Sequence, residues 1–108
     1  MQLKITNITS ESFEWERPGI WNGMHFYGLF VDYYKSFLIG KNPLETEKLT
    51  LELGGKQNKI LGSAGLHTQV LGALIIACWD IKGKVEDKSI HTLLGGEQKR
   101  VRAYIAGG

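Results

Sequence analysis

The stretch 66–83 constrains the fold most, because it predicts a helix that is apolar on nearly every side. Such a helix is stable in water only where other elements cover it, so we expect it to lie buried between them. Its longest nearly apolar run, 71–79, is far shorter than the roughly 20 residues that cross a membrane, so no membrane partner is expected. Its apolar positions are Val70, Leu74, Ala77, Cys78 and Ile81 on one face and Ala73, Ile75, Ile76 and Trp79 around it.

Charge and composition exclude several kinds of partner. The 13 lysines and arginines nearly balance 11 aspartates and glutamates, and a net charge of +2 over 108 residues gives no reason to expect nucleic acid. With 43% hydrophobic and 22% charged residues, the chain has the composition of one modest globular domain. A single cysteine excludes a disulfide framework, and no apolar leader follows Met1. We therefore expect a soluble, cytoplasmic protein.

Two segments alternate between apolar and polar residues and predict β-strands. In 2–14, Leu3 and Ile5 lie on one side and polar residues on the other, which is typical of a half-buried strand. The same alternation returns near the end of the chain, over 101–106. No further element follows that could pair with this second strand, so the chain is expected to be a domain cut short.

Glycines and a capping motif delimit the other predicted helices. Gly40 has the position of the glycine that follows a helix end. Asn42 and Glu45, three residues apart and separated by Pro43, have the spacing of a capping box at a helix start. The pair Gly54-Gly55 is expected to stop that helix and to open a polar loop. The helices predicted in addition to 66–83 cover 29–38, 43–53 and one turn at 90–94.

No catalytic constellation, cofactor site or metal site is expected in this chain. His25, His67 and His91 lie far apart, and none has a cysteine or carboxylate at the spacing of metal ligands. Cys78 lies mid-helix on an apolar face, where a thiol is usually an inert small hydrophobe. The aromatic, glycine-spaced stretch 20–27 has no helical period and predicts a loop. That loop either covers a binding pocket or packs locally, and both interpretations stay open.

The second half of the chain carries an ordered series of motifs. The runs 72–84, 93–96 and 100–104 follow one another as a long helix ending in Cys-Trp-Asp-Ile-Lys-Gly-Lys, a Leu-Leu-Gly-Gly turn and a strand. Together with 37–44 and, more weakly, 3–8, they resemble the mandelate racemase/muconate lactonizing branch of the enolase superfamily. In that family the same order leads from the amino-terminal capping domain into the first strand of the catalytic barrel.

The resemblance implies an α+β fold class, with a few antiparallel strands followed by a helical bundle. Residues 1–100 would be the capping domain, and 101–108 would begin a (β/α)-barrel that is otherwise missing. A hairpin of the family would also be missing near 28–29. The family's enzymes, acid-sugar dehydratases and racemases among them, abstract the proton α to a carboxylate with Mg²⁺ assistance. Because their catalytic groups come from later barrel strands, this chain alone is expected to be inactive, with Mg²⁺ bound only in a full-length parent.

The resemblance also assigns a role to the aromatic loop. By position, 20–27 corresponds to the family's first specificity loop, which makes Trp21, Asn22 and His25 candidates for a substrate lid. Two functions stay open at this point. In the first, the chain is the lid domain of such an enzyme and its partner is the barrel. In the alternative, it is a stand-alone binding or assembly module that docks, on another protein or on a second copy, through the apolar helix 66–83.

Overall fold

The computed structural model describes residues 2–11, 25–97 and 99–105, and over these ranges the chain forms four helices. The third helix is central, since the first two both pack against it and the short fourth helix follows at its end. None of the helices in the described part is long and apolar enough to cross a membrane. The helices are α1 (His25–Leu38), α2 (Thr46–Leu61), α3 (Leu66–Glu86) and α4 (Ile90–Leu93).

The core lies where α1 and α2 meet one face of α3. In α1 the apolar residues recur at i, i+3 and i+7, and in α2 at i and i+4, so each helix presents a single stripe inward. Tyr34 and Leu38 are the largest apolar side chains that are fully buried. The N-terminal residues Ile5 and Ile8 pack against the edge of this cluster. Its buried members are Val31, Tyr34, Leu38, Leu49, Leu53, Val70 and Cys78.

Backbone hydrogen bonds join the N-terminal segment, residues 2–11, to the turn that follows α1. The Ile5 N–H donates to the Lys41 carbonyl at 2.9 Å, and the Gly40 N–H donates to the Ile5 carbonyl at 2.8 Å. Gly40 has a φ of +82°, a conformation that glycine adopts without steric cost. The prediction that Gly40 ends the first helix is therefore confirmed, and the turn it makes also holds residues 2–11.

The predicted α+β fold class, with antiparallel strands before a helical bundle, is wrong for the part of the chain that the structure describes. Neither 2–11 nor 99–105 forms a strand. The side chains of Val101, Tyr104 and Ile105 are 85%, 90% and 96% exposed. A strand is stable only when a neighbour completes its backbone hydrogen bonds, and an alternating pattern cannot supply that neighbour. The remaining residues of both predicted strands, 12–14 and 106, lie outside the described ranges.

The start of α2 differs from the predicted capping box. The Asn42 side-chain oxygen accepts a hydrogen bond from the Leu44 N–H at 3.0 Å, which makes a local turn before the helix. The helix itself begins at Thr46, and the residue before it, Glu45, makes no side-chain capping bond. Asn42 has the correct residue type for a cap, but the same side chain is equally suited to a turn two residues long.

The end of α2 also differs, because the helix continues through Gly54 and Gly55 to Leu61. The polar loop predicted over 54–64 is thus mostly helical. A glycine inside a helix costs about 1 kcal/mol relative to alanine, which weakens a helix without necessarily ending it. Burial of Leu49 and Leu53 against the core offsets this cost. The first helix also differs from its prediction, because α1 begins at His25, four residues earlier than predicted.

The predicted burial of the third helix is confirmed on one side only. α3 begins at the predicted residue and ends at Glu86, three residues beyond the prediction. Its inward face includes the buried residues Val70 and Cys78, whereas Ile76 on the opposite face is 66% exposed. Two helices packed on the same side of a third leave its other side uncovered. Over the described residues, α3 therefore has one apolar face in the core and another exposed.

The turn after α3 depends on Gly83. The Lys88 N–H donates to the Gly83 carbonyl at 2.9 Å, and a Cβ atom on Gly83 would stand 2.9 Å from the Lys88 carbonyl oxygen. Asp87 between them adopts a left-handed conformation, with a φ of 50°. Only a residue without a side chain allows the backbone to return this closely onto the helix.

We predict that Gly83→Ala destabilises the chain and that Gly72→Ala does not. The Cβ at 83 displaces the turn, at a cost of about 1–3 kcal/mol in the free energy of unfolding. Gly72 is an exposed helical glycine of the same helix, and a Cβ there meets nothing within 4 Å, so alanine should stabilise by up to about 1 kcal/mol. Urea unfolding followed by circular dichroism measures both, and changes of the same sign would contradict the role given to Gly83.

Candidate functional site

The three predicted lid residues lie at or before the start of α1. Trp21 and Asn22 fall outside the described residues. His25 is the first residue of α1, so the predicted loop 20–27 is helical from this residue onward, and the His25 side chain is also outside the description. The lid role of these three residues stays a prediction.

A buried histidine joins the three long helices where α3 begins. His67 is 6% exposed, and its Nε2 lies 3.1 Å from the Leu61 carbonyl oxygen at the end of α2. Its Nδ1 lies 3.4 Å from the hydroxyl of Tyr34 in α1. Because a carbonyl oxygen can only accept, these partners assign the proton to Nε2 and leave Nδ1 to accept from the hydroxyl. We call this arrangement the His67 junction.

Aromatic rings and a second hydroxyl surround the junction. The Phe30 ring lies 6.1 Å from the imidazole, and the Thr68 hydroxyl oxygen lies 3.4 Å from Nδ1. Burial raises the pKa of the Tyr34 hydroxyl, and the nearby Tyr33 raises it further, so Tyr34 keeps the proton that it donates. Beside the junction, the Tyr27 hydroxyl donates to Gln69 Oε1 at 2.6 Å.

The chemistry of the junction is structural. It holds one buried histidine and two hydroxyls, and each of these groups is engaged with its neighbours. Among the described residues no group of three or more His, Cys, Asp or Glu side chains could hold a metal ion. Sequence reasoning tested His67 only as a metal ligand and missed that it ties three helices together. No local sequence pattern predicts such a contact, because the partners of His67, Leu61 and Tyr34, lie 6 and 33 residues away along the chain.

Cys78 is a buried core residue and not a reactive thiol. It is 4% exposed on the inward face of α3. Burial raises the pKa of the thiol, because the apolar surroundings disfavour the charged thiolate. The thiol is therefore protonated at neutral pH, and this agrees with the prediction of an inert small hydrophobe.

The exposed side of α3 is the candidate contact surface. Ile76 projects from it with 66% of its surface exposed, and its neighbours on the same side are glycine and alanine. An ion pair, Lys84 Nζ to Asp80 Oδ2 at 2.6 Å, borders it toward the C-terminus. Exposed apolar patches with polar borders mark places where another surface packs. We call this surface the outer face of α3, formed by Gly72, Ala73, Ile76 and Ala77.

Comparison with known proteins finds enzymes of sugar acids. The chain is 42% identical over 78 residues to D-galactarolactone cycloisomerase of Agrobacterium fabrum. It is 44% identical over 61 residues to arabinonate dehydratase of Saccharolobus solfataricus and 31% identical over 75 residues to D-xylonate dehydratase of Haloferax volcanii. The three matches cover 71%, 56% and 68% of this chain. No protein-family model and no solved structure matches it.

These relatives confirm the resemblance seen in the motifs. The chain is a homologue of sugar-acid dehydratases and a galactarolactone cycloisomerase, within the mandelate racemase/muconate lactonizing branch of the enolase superfamily. The matched segments cover 20%, 14% and 18% of the length of these relatives, so the chain spans about a fifth of them or less.

We predict that His67→Phe destabilises the chain more than Tyr34→Phe does. Phenylalanine at 67 leaves the Leu61 carbonyl and the Tyr34 hydroxyl without their partner, which should cost about 1–3 kcal/mol in the free energy of unfolding. Removal of the Tyr34 hydroxyl leaves the Thr68 hydroxyl beside Nδ1, so its cost should be about 1 kcal/mol or less. Urea unfolding measures the loss of unfolding free energy for both variants. A larger loss for Tyr34→Phe than for His67→Phe would contradict the role given to the His67 junction.

A second prediction follows from the buried thiol. The unfolded thiol ionises at its ordinary pKa of 9.0 and the folded one at higher pH, so the folded state binds more protons in alkali. The resulting stabilisation is complete below the unfolded pKa and is lost as pH rises through the folded pKa. Cys78→Ala should therefore flatten the decline of unfolding free energy above pH ~9. Equal slopes for variant and parent would show that the thiol does not contribute.

Proposed function

We propose that this chain forms the capping layer of a sugar-acid enzyme of the enolase superfamily. In this proposal the outer face of α3 and the segment 99–105 bind a (β/α)-barrel that carries the catalytic groups. The observation that supports it most is the exposure of Val101, Tyr104 and Ile105, which are 85–96% open to solvent. A segment with the pattern of a strand, and so little of its surface covered, gains stability only when a sheet accepts it.

The outer face of α3 supports the same partner. Ile76 lies among glycine and alanine positions, so a large body can approach the helix closely over two turns. Burial of an exposed isoleucine contributes about 1.5–3 kcal/mol, which is a useful part of a docking energy. In the proposal the barrel covers the outer face of α3, so that α3 is buried on both sides, as its apolar sequence predicts.

The capping layer would contribute a lid to the reaction. Trp21, Asn22 and His25 would lie over the mouth of the barrel, where they select the substrate and exclude water. The family's reaction is abstraction of the proton α to a carboxylate, and Mg²⁺, when bound, stabilises the charge that develops. The described residues hold no group of three or more His, Cys, Asp or Glu side chains that could bind a metal, and in this proposal the ligands of the ion and the base belong to the barrel. By this account the chain alone turns over no sugar acid.

The alternative, a stand-alone assembly module, uses the same helix. If the outer face of α3 binds a second copy or another protein, Ile76 is again buried, and the exposure of that face serves both proposals. The segment 99–105 favours the barrel, because module docking through α3 leaves Val101 and Ile105 in water.

A chimera tests the proposal. The chain replaces the matched segment of the A. fabrum cycloisomerase, and the turnover of D-galactarolactone is measured together with thermal unfolding. We expect a folded, active chimera and no turnover by the chain alone. Ile76→Lys should lower chimera activity at least about tenfold, since a buried lysine opposes docking. The matched control is Leu29→Lys, because Leu29 is 67% exposed and Ile76 is 66% exposed.

Three results would contradict the capping role. A chimera that does not fold, or that folds without activity, shows that the chain does not seat on this barrel. Equal activity of the Ile76→Lys and Leu29→Lys chimeras would show that the outer face of α3 does not contact the barrel. Self-association of the isolated chain that Ile76→Lys abolishes would support the assembly module in its place.

A further inference from the structure

A groove between α1 and α2 is separate from the outer face of α3 and from the segment 99–105. Its volume is about 710 Å³, and no residue of α3 lines it. Leu51 and Ile60 are each 76% exposed there, and Tyr33 and Phe37 are each 37% exposed. The groove is lined by Tyr33, Phe37, Leu51, Glu52, Gly55, Lys59 and Ile60. We call it the α1–α2 groove.

Packing within the chain does not require a glycine at position 55, which lines this groove. It lies inside α2, and a Cβ atom built on it would meet nothing within 4 Å. Its φ is not positive, so the backbone does not require glycine either. Glycine lowers helix stability relative to alanine at such a position. Because Gly55 has no side chain and lines the groove, it leaves room for another backbone to approach α2 closely.

The charges on either side of Gly55 indicate which backbone approaches. Glu52 and Lys59 are two turns apart on one side of α2, roughly 10 Å along its axis, with Gly55 between them. Glu52 has a loose partner in Lys41 at 3.7 Å. No carboxylate in the described ranges forms an ion pair with Lys59. An acid and a base placed about a central crossing point make a surface that is complementary to itself.

We propose that the α1–α2 groove binds a second copy of this chain. In the dimer the two α2 helices cross antiparallel near Gly55, so that Glu52 of one copy faces the partner's Lys59 and the reverse pair forms across the two-fold axis. Leu51 and Ile60 then lose contact with water. This inference goes beyond the proposed function and does not depend on it, since the outer face of α3 remains free for a barrel.

A pair of glycine variants tests the crossing point. Sedimentation equilibrium of the full chain, up to about 0.1 mM, should show a monomer–dimer equilibrium, because a contact confined to one groove is expected to be weak. Gly55→Gln should raise the dimer Kd at least about tenfold by blocking the close approach. Gly54→Gln is the matched control, since Gly54 is its helical neighbour with equally open space and does not line the groove. We expect it to change the Kd by less than about twofold.

A charge exchange tests the orientation. Glu52→Lys and Lys59→Glu should each raise the Kd, because like charges then face each other twice across the axis. The double variant, Glu52→Lys with Lys59→Glu, should return the Kd to within about threefold of the parent chain, since both opposite-charge pairs are restored. Circular dichroism of each variant confirms that the helices are retained.

Several outcomes would overturn the proposal. If the chain is monomeric over the whole concentration range, the α1–α2 groove does not bind a second copy. A dimer that weakens equally with Gly54→Gln and Gly55→Gln does not cross at Gly55. If the double charge variant is weaker than both single variants, the two charges do not face each other.

Discussion

The inward face of α3 is the constraint on which the rest of the structure depends. α1 and α2 both pack against α3 and contact each other little, so α3 supplies the surface that fixes their relative positions. The buried apolar residues of α1 and α2 meet Val70 and Cys78 on that face. At its N-terminal end the His67 junction adds directed bonds to Leu61 and Tyr34. Apolar burial supplies most of the stability, and these bonds fix where α2 ends.

Two exposed surfaces follow from this packing. Because both partners lie on one side of α3, its opposite side is uncovered, and Ile76 is exposed there. Because α1 and α2 are held by α3 and contact each other little, a groove opens between them, and Gly55 is one of the residues that line it. The first surface belongs to the capping role that we propose, and the second to self-association. They lie on different helices, so both contacts can exist in one assembly.

Sequence reasoning recovered what local chemistry determines. The start of α3 and the turn at Gly40 follow from residue periodicity and from the conformational freedom of glycine, and the motifs identified the superfamily that the relatives confirm. It failed where the outcome depends on distant partners. The pattern at 101–105 could not show whether a neighbouring strand exists, and Gly54 could not show that buried leucines would carry α2 past it. Of the lid candidates, only the backbone of His25 lies within the described residues.

The most direct test of the account is amide hydrogen exchange over 99–105 and the outer face of α3, in the isolated chain and in the cycloisomerase chimera. The capping account predicts that amides 99–105 exchange at the rate of an open chain in isolation and become protected in the chimera. It also predicts that protection of the amides around Ile76 rises in the chimera. Protection of 99–105 in the isolated chain, or fast exchange in a folded chimera, would contradict the claim that this segment joins a barrel.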